Sequence, residues 1–246
     1  MRLDKFLSNM GAGSRRDVHK LIASGKVKVD GSVCRNYDTH IDENRQKISV
    51  GDFEIPYKPF VYIMVNKPAG YLSSTEDGSG PVVIDLLNGT YASYKLGVAG
   101  RLDKDAEGLL LLTNDGQFIH RVISPDKDVV KTYFVTIKRE ITPDDVVQFK
   151  NGIRLRDGTQ YKPAELTNAA GPVPETAGSD SHAALVRISE GKFHQVKKMF
   201  LATGNEVLYL KRLSIGGLKL DKKLDPGKFR ELTIEEAEKV YEQANS

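Results

Sequence analysis

The sequence predicts an α+β protein with two domains: a small N-terminal α/β domain at residues 1–58, and a larger domain at residues 59–246 with a mixed, largely antiparallel sheet flanked by helices. Helix and strand patterns alternate without the regular repeat of a parallel sheet, and several strand patterns are joined by hairpin turn signals. A stretch containing Pro56 and Pro59 has the composition of a linker between the two domains.

The first domain is expected to combine two short helices with a small sheet. Apolar residues recur at helical spacing over residues 3–10, and Ser14 is a favourable N-cap for a second helix. Strand patterns then flank Asp30-Gly31, a dipeptide typical of two-residue hairpin turns. The second helix is predicted to turn its apolar stripe to the core and to expose a basic face formed by Arg15, Arg16, His19 and Lys20.

In the second domain, apolar runs predict strands and capped amphipathic stretches predict helices. Strands are expected at residues 61–65, 108–113, 130–137, 184–189 and 207–212. Helices are expected at residues 81–87, after the cap Asp115, from Thr142, at residues 193–203 with Phe193 on the buried side, and from Thr233. A hairpin is expected at residues 153–161 and a loop at residues 170–181. The many hairpins favour antiparallel pairing over a doubly wound parallel sheet.

The net charge of +3 lies in the first domain. Residues 1–58 hold 11 basic and 8 acidic side chains, whereas the rest of the chain holds 25 of each. A second basic block, residues 187–223, holds 9 basic and 3 acidic side chains. Two positive patches on a nearly neutral chain are typical of a protein that binds a polyanion, although a solvated charged surface has the same composition.

Composition and spacing argue against cofactors, metals and membranes. The run Gly11-Ala12-Gly13 lacks the third glycine and the preceding strand of a dinucleotide-binding loop. Cys34 is the one cysteine, and the five histidines lack metal-ligand spacing, so we expect no metal and no cofactor. No apolar run approaches the roughly 20 residues of a membrane span, so we expect a cytoplasmic protein without membrane contact.

A charged cluster, Gly100-Arg101-Leu102-Asp103, stands directly before an apolar strand. By local physics alone, such a cluster usually caps a turn. An acid and base pair formed by Asp103 and Glu107 would suit a small-molecule hydrolase, which predicts activity without RNA. The local pattern does not decide between these interpretations.

Three motifs resemble those of RNA pseudouridine synthases, in the same order. They are GRLDKDAEGLLLLTNDG at residues 100–116, KTY at 131–133 and EGKFHQVKKMF at 190–200. Near the N-terminus, RLDKFL at residues 2–7, SRR at 14–16 and GKVKVDG at 25–31 resemble the S4 RNA-binding module. An S4 module ahead of these motifs is the arrangement of the branch that acts on structured ribosomal RNA. NKPAGY at residues 66–71 is most similar to the small-subunit (16S) members.

The resemblance implies an isomerisation that needs no cofactor: the C1′–N1 bond of a uridine breaks, the uracil turns, and C1′ joins C5. It implies that Asp103 is the essential carboxylate, that Lys197 is its cationic partner, and that Tyr133 stacks on the uracil. Arg101 is implied to fill the gap in the stack after the target base has flipped out.

The resemblance also implies that the partner is structured ribosomal RNA, bound by a monomer. The residues implied to bind it are basic: Lys5, Arg15, Arg16, Lys20, Lys26, Lys192 and His194. Contacts of this kind with phosphates supply affinity more than sequence choice. The implied target is the uridine numbered 516 in 16S ribosomal RNA. Two alternatives stay open: a 23S ribosomal RNA pseudouridine synthase of the same branch, and a non-catalytic RNA-binding ribosome-assembly protein with the same fold.

Overall fold

The computed structural model describes residues 1–76, 80–92, 94–169 and 181–242. It divides into two compact units, of which the first, called the N-terminal unit, comprises Met1–Val61 and Leu87–Leu96. The second, called the large unit, comprises Tyr62–Leu86 and Gly97–Ser246. The α+β class is confirmed, whereas the domain boundary at residue 58 stays a prediction. The expected loop at residues 170–181 lies, apart from its last residue, outside the described residues.

The N-terminal unit packs two helices on a four-stranded antiparallel sheet in the order β2-β1-β3-β4. The hydroxyl of Ser14 accepts from the backbone N–H of Asp17 and caps the second helix, as predicted. Asp30 and Gly31 have φ of 50° and 81°, the left-handed values that a two-residue hairpin turn requires. The elements are α1 (Leu3–Asn9), α2 (Arg15–Ala23), β1 (Val27–Val29), β2 (Ser32–Val33), β3 (Ile48–Val50) and β4 (Phe53–Glu54).

The large unit contains the remaining elements. The helices are α3 (Gly116–Ile123), α4 (Pro143–Asn151), α5 (Gln195–Ala202) and α6 (Ile234–Glu238), with 3-10 turns at Val83–Leu87, Pro125–Lys127 and Lys239–Tyr241. The strands are β5 (Tyr62–Lys67), β6 (Gly97–Val98), β7 (Glu107–Thr113), β8 (Lys131–Ile137), β9 (Glu165–Asn168), β10 (His182–Ile188), β11 (Val207–Ile215), β12 (Leu218–Lys219) and β13 (Phe229–Glu231).

Nine strands of the described chain form one sheet, whose main path runs β13-β5-β7-β11-β8-β10-β9. Strands β7 and β11 pair in parallel at the middle of the path, and the other described pairs are antiparallel. The prediction of a mixed, largely antiparallel sheet is therefore confirmed. No described helix is long and apolar enough to cross a bilayer.

Local signals located the helix starts, with one error. Asp115 caps α3, and Thr142 and Thr233 form capping boxes at α4 and α6. The prediction that Phe193 lies on the buried side of a helix was wrong, because its side chain is 73% exposed. Helix α5 begins only after His194, whose φ of 53° is left-handed, so the helical periodicity does not extend back to Phe193.

Candidate active site

The candidate site is built on one row of residues across the middle of the large sheet. Lys67 on β5 pairs with Gly108 on β7, Gly108 pairs with Arg212 on β11, and Arg212 pairs with Tyr133 on β8. Paired residues of neighbouring strands project to the same face of a sheet. A Cβ at Gly108 would lie 2.3 Å from the carbonyl oxygen of Arg212, so this close approach of the two strands requires glycine.

Arg212 fixes one end of the loop that carries Asp103, called here the carboxylate loop (residues 100–106). Its side chain is buried, with 1% exposure. The guanidinium donates to the carbonyl oxygens of Gly100 (2.7 Å), Arg101 (3.2 Å) and Leu109 (2.8 Å). Because arginine offers five N–H donors in a planar fork, one side chain can satisfy several carbonyls at once.

Lys67 and Ser73 fix the rest of the carboxylate loop. The fully buried Lys67 donates from Nζ to the carbonyl oxygens of Lys104 (3.1 Å) and Ala106 (2.7 Å). The hydroxyl of Ser73 donates to the carbonyl of Leu102 (2.6 Å) and accepts from the backbone N–H of the same residue (3.0 Å). The backbone is thus held on both sides of the loop's central carboxylate.

Two buried lysines, one in this row of paired residues and one on the same strand as Tyr133, have lowered pKa values. Burial lowers the pKa of Lys67 to about 8, because the ammonium loses its water, although the neighbouring carboxylate of Asp105 opposes the shift. Burial also lowers the pKa of Lys131 to about 8, and the positive charge of Arg212 adds to this effect. Perturbed lysines of this kind are more frequent at functional sites than elsewhere, although structural networks produce them too.

Asp103 lies between two basic side chains of the third motif. The Nζ of Lys197 is 3.7 Å from Oδ2 of Asp103, and the Nε2 of His194 is 3.6 Å from Oδ1. However, Lys197 has shorter contacts with Asp105, at 2.6 and 2.7 Å to its two carboxylate oxygens. Lys197 is thus shared between two carboxylates and lies closer to the more exposed one, and its role as the cationic partner of Asp103 stays a prediction.

Tyr133 is linked to the carboxylate loop through Arg212. Its hydroxyl accepts a long hydrogen bond of 3.5 Å from Arg212, whose guanidinium carbon is 6.0 Å from the centre of the tyrosine ring. Tyr133 is 6% exposed. Arg212 thus contacts both the backbone beside Asp103 and the tyrosine of the second motif.

The side chains of two further residues named from the sequence have other surroundings. Arg101 is exposed, and its carbonyl, rather than its side chain, binds Arg212. Glu107 accepts a hydrogen bond of 2.7 Å from the hydroxyl of Tyr209. The carboxylate of Glu107 is thus bound by a tyrosine of the neighbouring strand β11.

Comparison with known proteins decides the family. A family model described as RNA pseudouridylate synthase matches residues 61–202, and an S4 domain model matches residues 1–46. The chain belongs to the RNA pseudouridine synthase family. An uncharacterized RNA pseudouridine synthase of Bacillus subtilis is 45% identical to this synthase over 236 residues, which are 96% of each chain.

Two further comparisons agree. Ribosomal small subunit pseudouridine synthase A of Escherichia coli is 38% identical over 240 residues, which cover 98% of this synthase and 100% of that protein. A crystal structure of a pseudouridylate synthase shares 35% identity and a TM-score of 0.64, covering 98% of this synthase and 99% of that chain. This synthase therefore resembles its relatives over nearly its whole length.

The residues of this synthase predicted to bind RNA differ in their surroundings. Those of the N-terminal unit are all exposed: Lys5, Arg15, Arg16, Lys20 and Lys26. In the large unit, Lys192 donates from Nζ to the carbonyl of Gln160 (2.6 Å) and lies 3.3 Å from a carboxylate oxygen of the buried Glu190. Lys192 thus has partners within the fold, whereas the five residues of the N-terminal unit present their charges at the surface.

Sequence reasoning missed the three side chains that hold the carboxylate loop. Lys67, Ser73 and Arg212 received no role, although NKPAGY, which begins one residue before Lys67, was noted as a family feature. A usable signal was present at Lys67, which follows Asn66 at the end of an apolar strand pattern, where an uncompensated buried lysine would be costly. The pattern around Arg212 also indicates a buried position. The residues two positions away on the same strand face, Leu210 and Ser214, are apolar or small.

Proposed function

We propose that this synthase isomerises a specific uridine of small-subunit ribosomal RNA, the one corresponding to position 516 of 16S RNA. One observation carries the catalytic part of the proposal: Asp103 is a partly buried carboxylate on an anchored loop, within 3.7 Å of both Lys197 and His194. The names of full-length relatives that are 38% to 40% identical support the small subunit as the substrate.

Asp103 is the catalytic carboxylate in this proposal. It either attacks C1′ of the flipped uridine or assists formation of a glycal, and in both routes the C1′–N1 bond breaks. After the uracil has turned, C1′ bonds to C5: on the first route the bond between Asp103 and C1′ breaks in this step, and on the glycal route the proton that Asp103 took from C2′ returns to it. The C5 proton then leaves and a proton is taken up at N1, so the product is an isomer of the substrate. Lys197 supports the negative charge of Asp103, and its second partner, Asp105, keeps its ammonium near the loop.

Tyr133 and Arg101 act on the bases. Tyr133 stacks on the uracil and takes part in removal of the C5 proton, as an aromatic ring with a polar tip can do both. The exposed Arg101 replaces the flipped base in the stack with its guanidinium plane. Flipping costs a few kcal/mol, so a group that fills the vacated position lowers the cost of reaching the reactive complex.

The S4-like domain, proposed to end near residue 58, holds the RNA backbone with Lys5, Arg15, Arg16, Lys20 and Lys26, and the large unit adds Lys192 and His194. The exposure of the first five residues supports this assignment. Such contacts supply affinity that is independent of sequence. The monomeric state and the cytoplasmic location stay predictions.

The catalytic proposal is tested with Asp103→Asn, which removes the carboxylate and keeps the shape. We expect tritium release from RNA labelled at uridine C5 to fall below about 1% of the wild-type rate, while RNA affinity changes little. Asp126→Asn, an exposed carboxylate of the same unit, is the matched control and should keep wild-type turnover. An Asp103→Asn protein that retains more than a few per cent of the rate would contradict the assignment.

The substrate proposal is tested by mapping pseudouridines with carbodiimide and primer extension, in 16S and 23S RNA from cells with and without the gene. We expect one stop in 16S RNA to disappear with the gene and to return when purified synthase is added. Loss of a stop in 23S RNA instead would favour the large-subunit alternative.

A further inference from the structure

An exposed aromatic ring stands beside the candidate active site. Phe193 is 73% exposed and directly precedes His194, the histidine whose Nε2 is 3.6 Å from Asp103. A single exposed apolar ring is common on protein surfaces, but this one is joined to a histidine that lies beside the candidate catalytic carboxylate. The exposed ring is therefore placed to contact a bound substrate.

Phe193 and His194 already form a stacked pair. Their ring centres are 3.8 Å apart and their planes differ by 20°. The Nζ of Lys198, one turn into α5, lies 5.2 Å from the centre of the Phe193 ring. The pair, called here the ring platform (Phe193 and His194), therefore has its histidine at the carboxylate and its phenylalanine towards solvent.

We propose that the Phe193 ring is a stacking site for an unpaired base next to the target uridine. This inference rests on the proposed function: Arg101 fills only the place of the target uridine, so an unpaired neighbouring base that leaves the stack as well needs a flat partner of its own. Every base has a π-face, so such a site tolerates sequence variation. It is separate from the contact with the target base itself, which we assign to Tyr133.

The charges around the ring platform favour a nucleic-acid occupant over a protein one. The ammonium of Lys198 lies over the Phe193 ring, whereas those of Lys192 and Lys197 are paired with carboxylates of the fold. A lysine near an aromatic ring suits the phosphate that accompanies a stacked base. Single-stranded nucleic acid is commonly held by this combination of aromatic faces and positive charge.

The chain offers a sensitive test because it contains no tryptophan. Phe193→Trp therefore introduces a single tryptophan at the proposed site, which can be excited at wavelengths that the ten tyrosines do not absorb. In an Asp103→Asn background, which blocks turnover, titration with transcribed small-subunit RNA should quench its emission in a saturable way. Leu201→Trp, a substitution at the far end of the same helix where Leu201 is 70% exposed, is the matched control and should keep its emission.

Single-turnover kinetics give a second readout. Phe193→Ala should raise the half-saturating RNA concentration roughly 5- to 150-fold, the loss expected for one stacked base. The maximal rate should fall by a smaller factor. Phe193→Leu, which keeps an apolar side chain without a π-face, should resemble Phe193→Ala, whereas Phe193→Tyr should stay close to wild type. Leu201→Ala should leave both constants unchanged.

The outcomes separate this inference from the proposed function. If filter retention shows RNA bound while the Trp at position 193 keeps its emission, or if Phe193→Ala binds RNA as wild type does, the stacking site is wrong and Phe193 is free for a protein partner. If the emission is quenched but wild-type synthase forms no pseudouridine in either ribosomal RNA, the substrate proposal is wrong and the stacking site stands. If Asp103→Asn protein binds no ribosomal RNA at all, both are overturned.

Discussion

The basic side chains named for RNA binding in the N-terminal unit are exposed, whereas three basic side chains that support the candidate site of the large unit are buried. The N-terminal set named for RNA binding is exposed throughout, namely Lys5, Arg15, Arg16, Lys20 and Lys26. The buried set comprises Lys67, Lys131 and Arg212. Two of these buried side chains donate to backbone carbonyls of the carboxylate loop. Residues of the same charge thus serve two purposes: attraction of a polyanion, and fixation of a loop.

The physical consequences of the two locations differ. Exposed charges are screened by salt, so their effect on RNA binding weakens as ionic strength rises. A buried charge is little affected by salt, but it loses hydration and must recover that loss through hydrogen bonds. The lowered pKa values of Lys67 and Lys131, both about 8, reflect this loss of hydration. Substitutions in the two sets should therefore change different measurements.

The largest effect is expected from Arg212→Met. The substitution leaves three carbonyl oxygens of the buried network without their donor, each at a cost of about 1 to 3 kcal/mol. We expect urea denaturation to show a loss of about 3 kcal/mol or more, and turnover to fall because the carboxylate loop is no longer held. Arg212→Lys, with a single ammonium, should be intermediate.

Lys211→Met is the control for Arg212→Met, because Lys211 is the next residue of the same strand and faces the opposite side of the sheet. We expect it to change stability by no more than about 0.5 kcal/mol. Equal losses in both variants would mean that the strand, rather than the bonds of Arg212, determines the stability.

The next effect concerns the pH dependence of Lys67. Its pKa in the folded protein, about 8, is below the unfolded value of 10.5, so folding disfavours the charged amine. This penalty is fully present below pH 8 and disappears as pH rises through 10.5. Relative to Lys67→Met, wild-type stability should therefore rise by roughly 2 to 3 kcal/mol between pH 7 and pH 10.

Urea denaturation of wild type and Lys67→Met at both pH values gives that difference, and the contribution of Lys131 cancels because both proteins contain it. The exposed Lys222→Met serves as the control and should show no pH-dependent difference from wild type. If the free energies of unfolding of wild type and Lys67→Met differ by the same amount at both pH values, Lys67 is hydrated in solution.

The elements that could be predicted from the sequence are those with local causes. The hairpin at Asp30-Gly31 and the helix caps at Ser14, Asp115 and Thr142 depend on residues within a few positions of each other. The sheet order depends on contacts between distant segments, so the parallel pairing of β7 with β11 and the short strand β9 were not foreseen. Periodicity was misleading at Phe193 because the helix begins only after the left-handed His194.

The candidate site was predictable to a similar extent. Resemblance identified the segments that hold Asp103, Tyr133 and Lys197, but it gave no distances. The sharing of Lys197 with Asp105 and the bridging position of Arg212 follow from tertiary packing. A lysine or arginine in a strand pattern is normally expected to face solvent, so Lys67 and Arg212 could not be recognised as interior residues by residue type.

The third prediction concerns the exposed basic side chains of the N-terminal unit. Replacing Arg15 and Arg16 together by glutamine should flatten the slope of log K against log salt by roughly 1.4 to 1.8, and weaken RNA binding by about 2 kcal/mol at 0.1 M salt, if each contacts one phosphate. Folding stability should hardly change. The exposed Arg154 and Arg156, replaced in the same way, control for the change in net charge. An equal effect of both pairs would show that total charge, rather than the N-terminal face, governs binding.

The smallest effect is expected where an exposed and a buried environment meet, at Lys197. Its ammonium is 3.7 Å from Asp103 and 2.6 Å from Asp105, and both contacts are partly solvated. Because solvent screens such pairs, we expect Lys197→Met to lower the single-turnover rate by a factor of about 10, equivalent to about 1.4 kcal/mol, with little loss of stability. Asp105→Asn should lower the rate less, since Lys197 then has Asp103 as its remaining carboxylate partner.

Comparison of these two variants shows which carboxylate matters to the reaction. If Asp105→Asn lowers the rate as much as Lys197→Met does, the function of Lys197 in the reaction depends on its shorter contact, the one with Asp105. If Lys197→Met keeps the wild-type rate but binds RNA more weakly and with a flatter salt dependence, Lys197 belongs with the exposed residues that hold phosphates. A slower rate at saturating RNA with an unchanged salt slope would place Lys197 with the residues that support Asp103.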